Sequence, residues 1–441
     1  MVRIQLPRKA EDIIEKIQAA GYEAYAVGGC IRDSILGKEP DDWDITTSAK
    51  PEEVKMLFDR TIDTGIQHGT VTVMIGKEGF EITTYRIDGK YEDSRHPKDV
   101  TFTSNLKEDL RRRDFTINAM AYNSKDGLID LYEGVQDMKQ GLIRCVGDAE
   151  ERFMEDALRM MRAVRFSAQL GYAIEENTKK AIRKLAPTIQ NISAERIRTE
   201  LVKLMTSAHP DFFRIAYETG ITAQVFPEFD ICMETEQNNP HHCYSVGEHI
   251  LHTLSYVEND KVLRLAMLFH DIGKPRTLTI DEEGITHNHG HAAVGEELTV
   301  RILKRLKFDN DTIDKVKKLV RYHDRKIETN AKSVRRAVSD IGEDIFPLLF
   351  SVKYADIMAQ SEYQRDEKLS ELETLKSIYG RIIEEKNCLS LKDLAVTGGD
   401  LIAAGMKPGR EIGTALHKLL EVVLEEPEHN QKEYLLSLLQ L

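Results

Sequence analysis

The chain has 441 residues, 41% of them hydrophobic and 31% charged, with a net charge of −13. That length is too great for one core and implies two to four domains, while no apolar run approaches the ~20 residues of a membrane span. The acidic total argues against a general nucleic-acid binder, so a polyphosphate partner has to be met by local basic patches.

The N-terminal run reads as an amphipathic helix over 7–20, ending at Gly21, rather than as a signal peptide. Cys30, Cys145, Cys232, Cys243 and Cys388 are scattered with no CxxC pair, which predicts reduced thiols in a cytoplasm. Residues 22–27 read as a short strand. Gly28 and Gly29 follow and open a short helix; they let backbone N–H groups approach a phosphate chain. Arg32, one helical turn in, can reach the same triphosphate. A loop then delivers Asp42 and Asp44 into an apolar β-type run ending at Thr47. Residues i and i+2 of a strand share a face, so the two carboxylates can hold the Mg²⁺ ions of a phosphoryl-transfer site. A lone GG or DxD reads as a turn or a solvated acidic loop. The two together, as VGGCIRDSILGKEPDDWDIT, point to a nucleotide site.

This stretch resembles the signature of the nucleotidyltransferase superfamily that includes DNA polymerase beta. Within it the chain looks like the class II tRNA nucleotidyltransferases, the CCA-adding enzymes and their poly(A) polymerase relatives.

A helix started by Pro51 and a hairpin of 70–75 with 80–86 follow, completing a small α/β domain. Glu81 lies on the second hairpin strand, where the superfamily often carries a third carboxylate. From 86 to 102 the chain is charged and aperiodic, which predicts a mobile loop. In the resemblance this is the loop needed for the final A addition. Arg111, Arg112 and Arg113 then precede an apolar run; in the matching RRDFTINA motif the second arginine, here Arg113, contacts the nucleotide.

Residues 152–172 read as one helix on which Asp156, Arg159, Arg162 and Arg165 recur every third position as a stripe. A salt-bridged solvent face would have the same spacing. Chemistry suggests more. Cytosine and adenine both present an N–H donor beside a ring-nitrogen acceptor, which an Asp acceptor and an Arg donor match. Guanine and uracil present the reverse and would leave buried groups unpaired. EDxxR, residues 155–159, is similar to the amino-acid template of the class II family, with Arg162 and Arg165 as further nucleotide contacts. A second amphipathic helix over 192–205, capped by Ser193 and with Arg196 near its start, matches the motif that holds the template in place.

After Pro227 histidines appear in helical runs: His249, then His270-Asp271 in HDIGKP, then His291, His323 and, later, Asp356. Such N and O donors can converge on a divalent metal. They resemble the HD superfamily of metal-dependent phosphohydrolases, with His249, His270, Asp271 and Asp356 at its four ligand positions and His291 and His323 as the extra histidines of two-metal versions. Between 301 and 326 there are ten Lys/Arg against four Asp, a local basic surface for an RNA backbone. The tail, with MKPGREIG at 406–413, resembles the part of the family on which the tRNA arm docks.

The expected fold is α+β: a small α/β nucleotidyltransferase head (1–150), an all-α neck (151–215), an HD-containing helical body (216–380) and a helical tail (381–441). The resemblance implies template-independent building or repair of the tRNA CCA end from CTP and ATP. In it Asp42 and Asp44 hold Mg²⁺, Gly29, Arg32 and Arg113 hold the triphosphate, and a second divalent metal is possible in the HD part. An A-adding enzyme or a poly(A) polymerase would share nearly all these motifs. A phosphohydrolase that keeps the head as an RNA-binding module is the reading from another class.

Overall fold

The computed structural model describes residues 3–89 and 100–439. In chain order its first strands are β1 (Ala24–Val27), β2 (Ile45–Thr47), β3 (Thr61–Gly65), β4 (Thr70–Ile75), β5 (Glu78–Thr84), β6 (Arg86–Asp88), β7 (Val100–Phe102), β8 (Met120–Asn123) and β9 (Gly127–Asp130). Seven of these form one sheet in the order β3-β4-β5-β2-β1-β8-β9. β2 at the centre and β1 beside it are buried along their whole lengths, as interior strands covered on both faces are. It runs antiparallel to both β2 and β8, whereas β2 and β5 are parallel.

The first helices are α1 (Arg8–Ala19), α2 (Gly29–Ile35), α3 (Pro51–Leu57), α4 (Leu106–Arg111), α5 (Gly134–Gln140), α6 (Ala149–Glu155), α7 (Leu158–Leu170), α8 (Glu176–Leu185) and α9 (Ala194–Met205). α1 buries Ala10, Ile13, Ile14 and Ile17, the i, i+3, i+4, i+7 set that covers one side of a sheet. Pro51 opens α3, and the Glu53 carboxylate accepts from the Lys50 N–H at 2.7 Å.

Four expectations need correction. The stretch 86–102 begins and ends as paired strands, Arg86 opposite Phe102 and Ile87 opposite Thr101, and the rest of the expected loop, 90–99, lies outside the described residues. The helix expected over 152–172 is broken: α6 ends at Glu155 and α7 begins at Leu158. Part of the cause is local, since the Asp156 side chain accepts the Leu158 N–H at 3.1 Å in a turn that competes with the helix, and Ala157 becomes the N-cap of α7. Ser193 does occupy the N-cap of α9, yet its side chain makes no capping hydrogen bond. The helical parts are also not free of strand: Leu142–Ile143 pairs with Ala173–Ile174, and Thr279–Ile280 with Thr286–His287.

The chain divides into two compact units, Met1–Pro227 and Glu228–Leu441, so the expected start of the body, 216–227, falls in the first. The second unit is helical around Lys261–Phe269, whose residues from Leu263 onward are all buried. Phe346–Ala359 supplies Asp356 next to buried Val352, Ala355 and Ala359. Half of the basic stretch 301–326 is tied up with carboxylates, among them Arg305 to Glu228, Lys315 to Asp311, Lys317 to Asp314 and Arg325 to Asp340. Among the described residues no helix is long and apolar enough to cross a membrane.

Candidate active site

Asp42 and Asp44 were expected on a strand, but β2 begins only at Ile45, so both stand in the loop before it, with the Asp44 carbonyl held by the Val27 N–H at 2.9 Å. The Asp44 carboxyl is pushed up to about 6, first by burial, then by the negative charge of Asp42, with Glu81 adding to it and Arg113 opposing. Asp42 and Glu81 are thus near enough to act on the Asp44 charge, and carboxylate oxygens are the donors a hard divalent cation prefers.

Gly28 caps the start of α2 with φ +87°, and a Cβ there would sit 3.2 Å from Arg113 Nη1. Both the backbone angle and the space reserve the position for glycine. Gly29 is the first residue of α2, and a Cβ on it would lie 3.6 Å from Arg32 Nη2. Arg32 grips Asp33 with two N–H groups at 2.9 and 2.8 Å and donates to Asn118 Oδ1 at 2.7 Å. Arg113 reaches Asp109 only at 3.5 Å, and its buried Nε has no hydrogen-bond partner. A guanidinium held this loosely beside a carboxylate cluster and a glycine turn can take a phosphate oxygen.

The residues expected to choose the base line a cleft of about 280 Å³ with Arg112, Arg113, Asp114 and Arg196. Arg196 of α9 holds the Asp156 carboxylate with two N–H groups, at 2.7 and 3.2 Å. Arg159 donates to Glu155 at 2.7 Å and to the backbone oxygens of Arg112 and Arg152. Arg162 donates twice to Asp114, at 2.8 and 2.6 Å, and Arg165 pairs with Glu200 at 2.7 Å. Burial pulls the Arg165 guanidinium down to about 10, with Glu200 opposing. Thus the stripe consists of three arginines on α7 and one aspartate at its mouth.

Sequence reasoning missed the carboxylates that hold these cations. Asp109 accepts from Thr46 at 3.0 Å and Arg112 at 2.9 Å, and its i, i+3 spacing to Arg112 was the available signal. Asp114 is nearly buried. Burial raises its pKa, but Arg162, Asn118 and Arg159 outweigh this and hold it far below the ordinary 3.8. Its stabilisation is therefore complete above that value and is lost as the pH falls below it. Asp114→Asn is expected to cost roughly 3 kcal/mol near neutrality, because Arg162 loses its nearest carboxylate and keeps only the more distant Glu200 at 4.0 Å. The gap between the thermal midpoints of the two proteins should stay constant from pH 7 to about pH 4 and narrow below that; a gap unchanged down to about pH 2 would refute it.

In the second unit His249, His270, Asp271 and Asp356 come together, and His291 and His323 join on the other side of Asp271. His249 Nε2 lies 3.2 Å from His270 Nε2 and 2.9 Å from Asp356 Oδ1. His291 Nε2 lies 3.1 Å from His323 Nε2. Asp271 turns Oδ2 to the first pair, at 3.3 and 3.5 Å, and Oδ1 to the second, at 3.5 and 3.6 Å. The Nδ1 atoms of His270, His291 and His323 meet backbone carbonyls at 2.7–2.8 Å, which fixes the proton there and leaves the Nε2 lone pairs facing inward. Facing lone pairs at such distances repel unless a cation lies between them, so these residues fit a divalent metal on each side of Asp271. Lys274 Nζ, 2.7 Å from Asp271 and 2.9 Å from Gln237, closes one wall.

Three family models match the chain: the poly A polymerase head domain at residues 24–144, an RNA and SrmB-binding region of polymerase A at 171–233, and tRNA nucleotidyltransferase domain 2 at 281–439. A CCA-adding enzyme of Lactiplantibacillus plantarum is 56% identical over 213 residues, 48% of this chain and 52% of that one. The CCA-adding enzyme of Leuconostoc mesenteroides is 39% identical over 422 residues, 94% of this chain and 92% of its own. Among solved structures, the Bacillus stearothermophilus CCA-adding enzyme in complex with CTP superposes with a TM-score of 0.73 at 28% identity, covering 99% of this chain and 98% of that one. Likeness sustained over nearly the whole of both chains decides the matter: this protein belongs to the family of CCA-adding enzymes.

Proposed function

We propose that the chain builds and repairs the CCA 3′ end of tRNA from CTP and ATP by template-independent nucleotidyl transfer. One observation carries this: Arg113 stands both beside Asp44 and in the wall of the cleft that holds Asp156 and Arg159. A nucleotide can therefore place its phosphates at the carboxylates and its base at the Asp–Arg pair within one reach. When bound, divalent ions, magnesium in this reading, would activate the primer 3′-hydroxyl and neutralise the departing pyrophosphate. Asp42 and Asp44 hold them, with Glu81 as third carboxylate. Gly29, Arg32 and Arg113 orient the triphosphate. Asp156 accepts from the base amino group and Arg159 donates to its ring nitrogen, while Arg162 and Arg165 support the nucleotide from α7. The scattered thiols favour a cytoplasmic setting. We assign residues 1–150 to the head, 151–215 to the neck, 216–380 to the body and 381–441 to a tail that docks tRNA.

The test is incorporation on three tRNA transcripts ending at the discriminator base, at C and at CC. Completion of all three to CCA, followed by arrest, is the expected result. Extension of only the CC transcript, by one A, would make the protein an A-adding enzyme, and long A tails a poly(A) polymerase.

The facing histidine pairs favour a second reading for the second unit, an HD-type metal centre able to act on phosphate esters. Purified protein is expected to carry about two transition-metal ions per chain, fewer in His270→Ala, with nucleotide incorporation unaffected by that substitution. Elemental analysis showing equal metal in both proteins would rule the centre out.

A further inference from the structure

Three guanidinium groups gather round a single ring. Phe166 of α7 is 5% exposed, and the Cζ atoms of Arg165, Arg32 and Arg162 lie 3.8, 5.0 and 5.3 Å from its centroid. Phe115, also buried, meets the ring edge-on at 5.8 Å. Arg32 comes from α2 beside the glycine turn, whereas Arg162 and Arg165 come from α7 beside the base cleft. Each cation has its own carboxylate: Asp33, Asp114 and Glu200 respectively for Arg32, Arg162 and Arg165. On one side a polar path runs from Arg32 through Asn118 to Asp114 and Arg162. The Phe166 ring is the second link between them. Three like charges so close repel one another, and the negative face of an aromatic ring is the one apolar group that attracts them. A leucine would fill the space without that attraction.

We propose that Phe166 is a positioning residue whose ring fixes Arg32 relative to Arg162 and Arg165 before the nucleotide arrives, so that triphosphate and base are gripped at a set spacing. This rests on the reading that Arg32 holds the triphosphate. Preorganisation of this kind appears in affinity, because the ordering cost is met before binding. It should act on CTP and ATP alike, since the ring contacts the arginines rather than a base.

The experiment replaces Phe166 in the full chain by phenylalanines carrying one, two and three ring fluorines. Fluorination nearly conserves volume and progressively cancels the ring quadrupole. The Kd for CTP is measured by equilibrium dialysis beside the thermal midpoint, in the wild-type background and with Arg32→Ala. Kd should rise stepwise to about tenfold with three fluorines at an unchanged midpoint. Phe166→Tyr should bind as the wild type does, and the fluorine series should be flatter once Arg32 is alanine. A flat series in the wild-type background, with Arg32→Ala still weakening CTP, would overturn the role of the ring alone. An unchanged Kd in Arg32→Ala would instead overturn the reading on which it stands.

Discussion

Asp44→Ala is expected to lower nucleotide transfer on the order of a thousandfold or more while tRNA binding persists, because in the proposed function Asp44 is a ligand of the divalent ions. Asp44→Asn carries a second expectation of opposite sign for stability. The Asp44 carboxyl is raised to about 6 from an ordinary 3.8 by burial, Asp42 and Glu81. A raised carboxyl binds its proton more tightly in the folded chain. It therefore destabilises the metal-free fold progressively as the pH climbs from about 4, and fully above about 6. Removing the charge should recover roughly 2 kcal/mol at pH 7.5, after allowance for partial solvent exposure. Millimolar Mg²⁺ should raise the melting temperature of the wild type and not that of the asparagine variant. Equal melting temperatures without metal, or equal shifts with it, would defeat the assignment of Asp44 as a metal ligand.

Reversing the donor and acceptor of the base cleft should change which nucleotides are used. With Asp156 as acceptor and Arg159 as donor, a wrong base leaves buried polar groups unpaired, and sites built on hydrogen bonds discriminate by roughly 10⁴-fold. The structure adds a condition to this exchange. Arg196 holds the Asp156 carboxylate with two N–H groups, so an arginine at 156 would meet a second guanidinium. The informative variant is therefore Asp156→Arg with Arg159→Asp and Arg196→Gln. Its kcat/KM for CTP should fall by at least about a hundredfold, with UTP or GTP now preferred. Arg196→Gln alone frees the Asp156 carboxylate to rotate and should relax the choice by about tenfold. A triple variant that still selects CTP and ATP would dispose of the amino-acid template.

What could be read in the chain was local in it. Gly28 with Gly29, and Arg159, Arg162 and Arg165, sit at spacings that a turn or a helix converts directly into one face, whereas Asp42 and Asp44 were legible as a motif but stand in the loop before β2 rather than on a strand face. The break at Asp156 was not readable in this way. RFMEDALRMMRAVRF has helical character throughout. What breaks the helix is partly the turn that the Asp156 side chain makes with the Leu158 N–H and partly Arg196, which arrives from α9. The same holds for Asp114 and Glu200. Their charge was visible, but the arginines they hold are brought to them by packing between α7, α9 and the head. In the second unit the six expected metal ligands came together, whereas the basic run 301–326 lost part of its charge to its own Asp311 and Asp314 at helical spacing and part to Glu228 and Asp340, which no local spacing links to it.

The order of strands in the sheet has a consequence for synthesis. β1, which leads into the glycine turn, needs β8 on its open side: Ala26 is opposite Tyr122, Val27 opposite Ala121, and the Gly28 N–H donates to the Met120 carbonyl. Contacts between such distant parts of a chain close late. At translation rates of ~5–20 residues per second, the nascent chain spends roughly 5–20 s with β1 made and its partner not yet emerged. Through that interval the carboxylates and the glycines exist without the site they will form, and a message cut short before Met120 yields a chain with no place for a nucleotide.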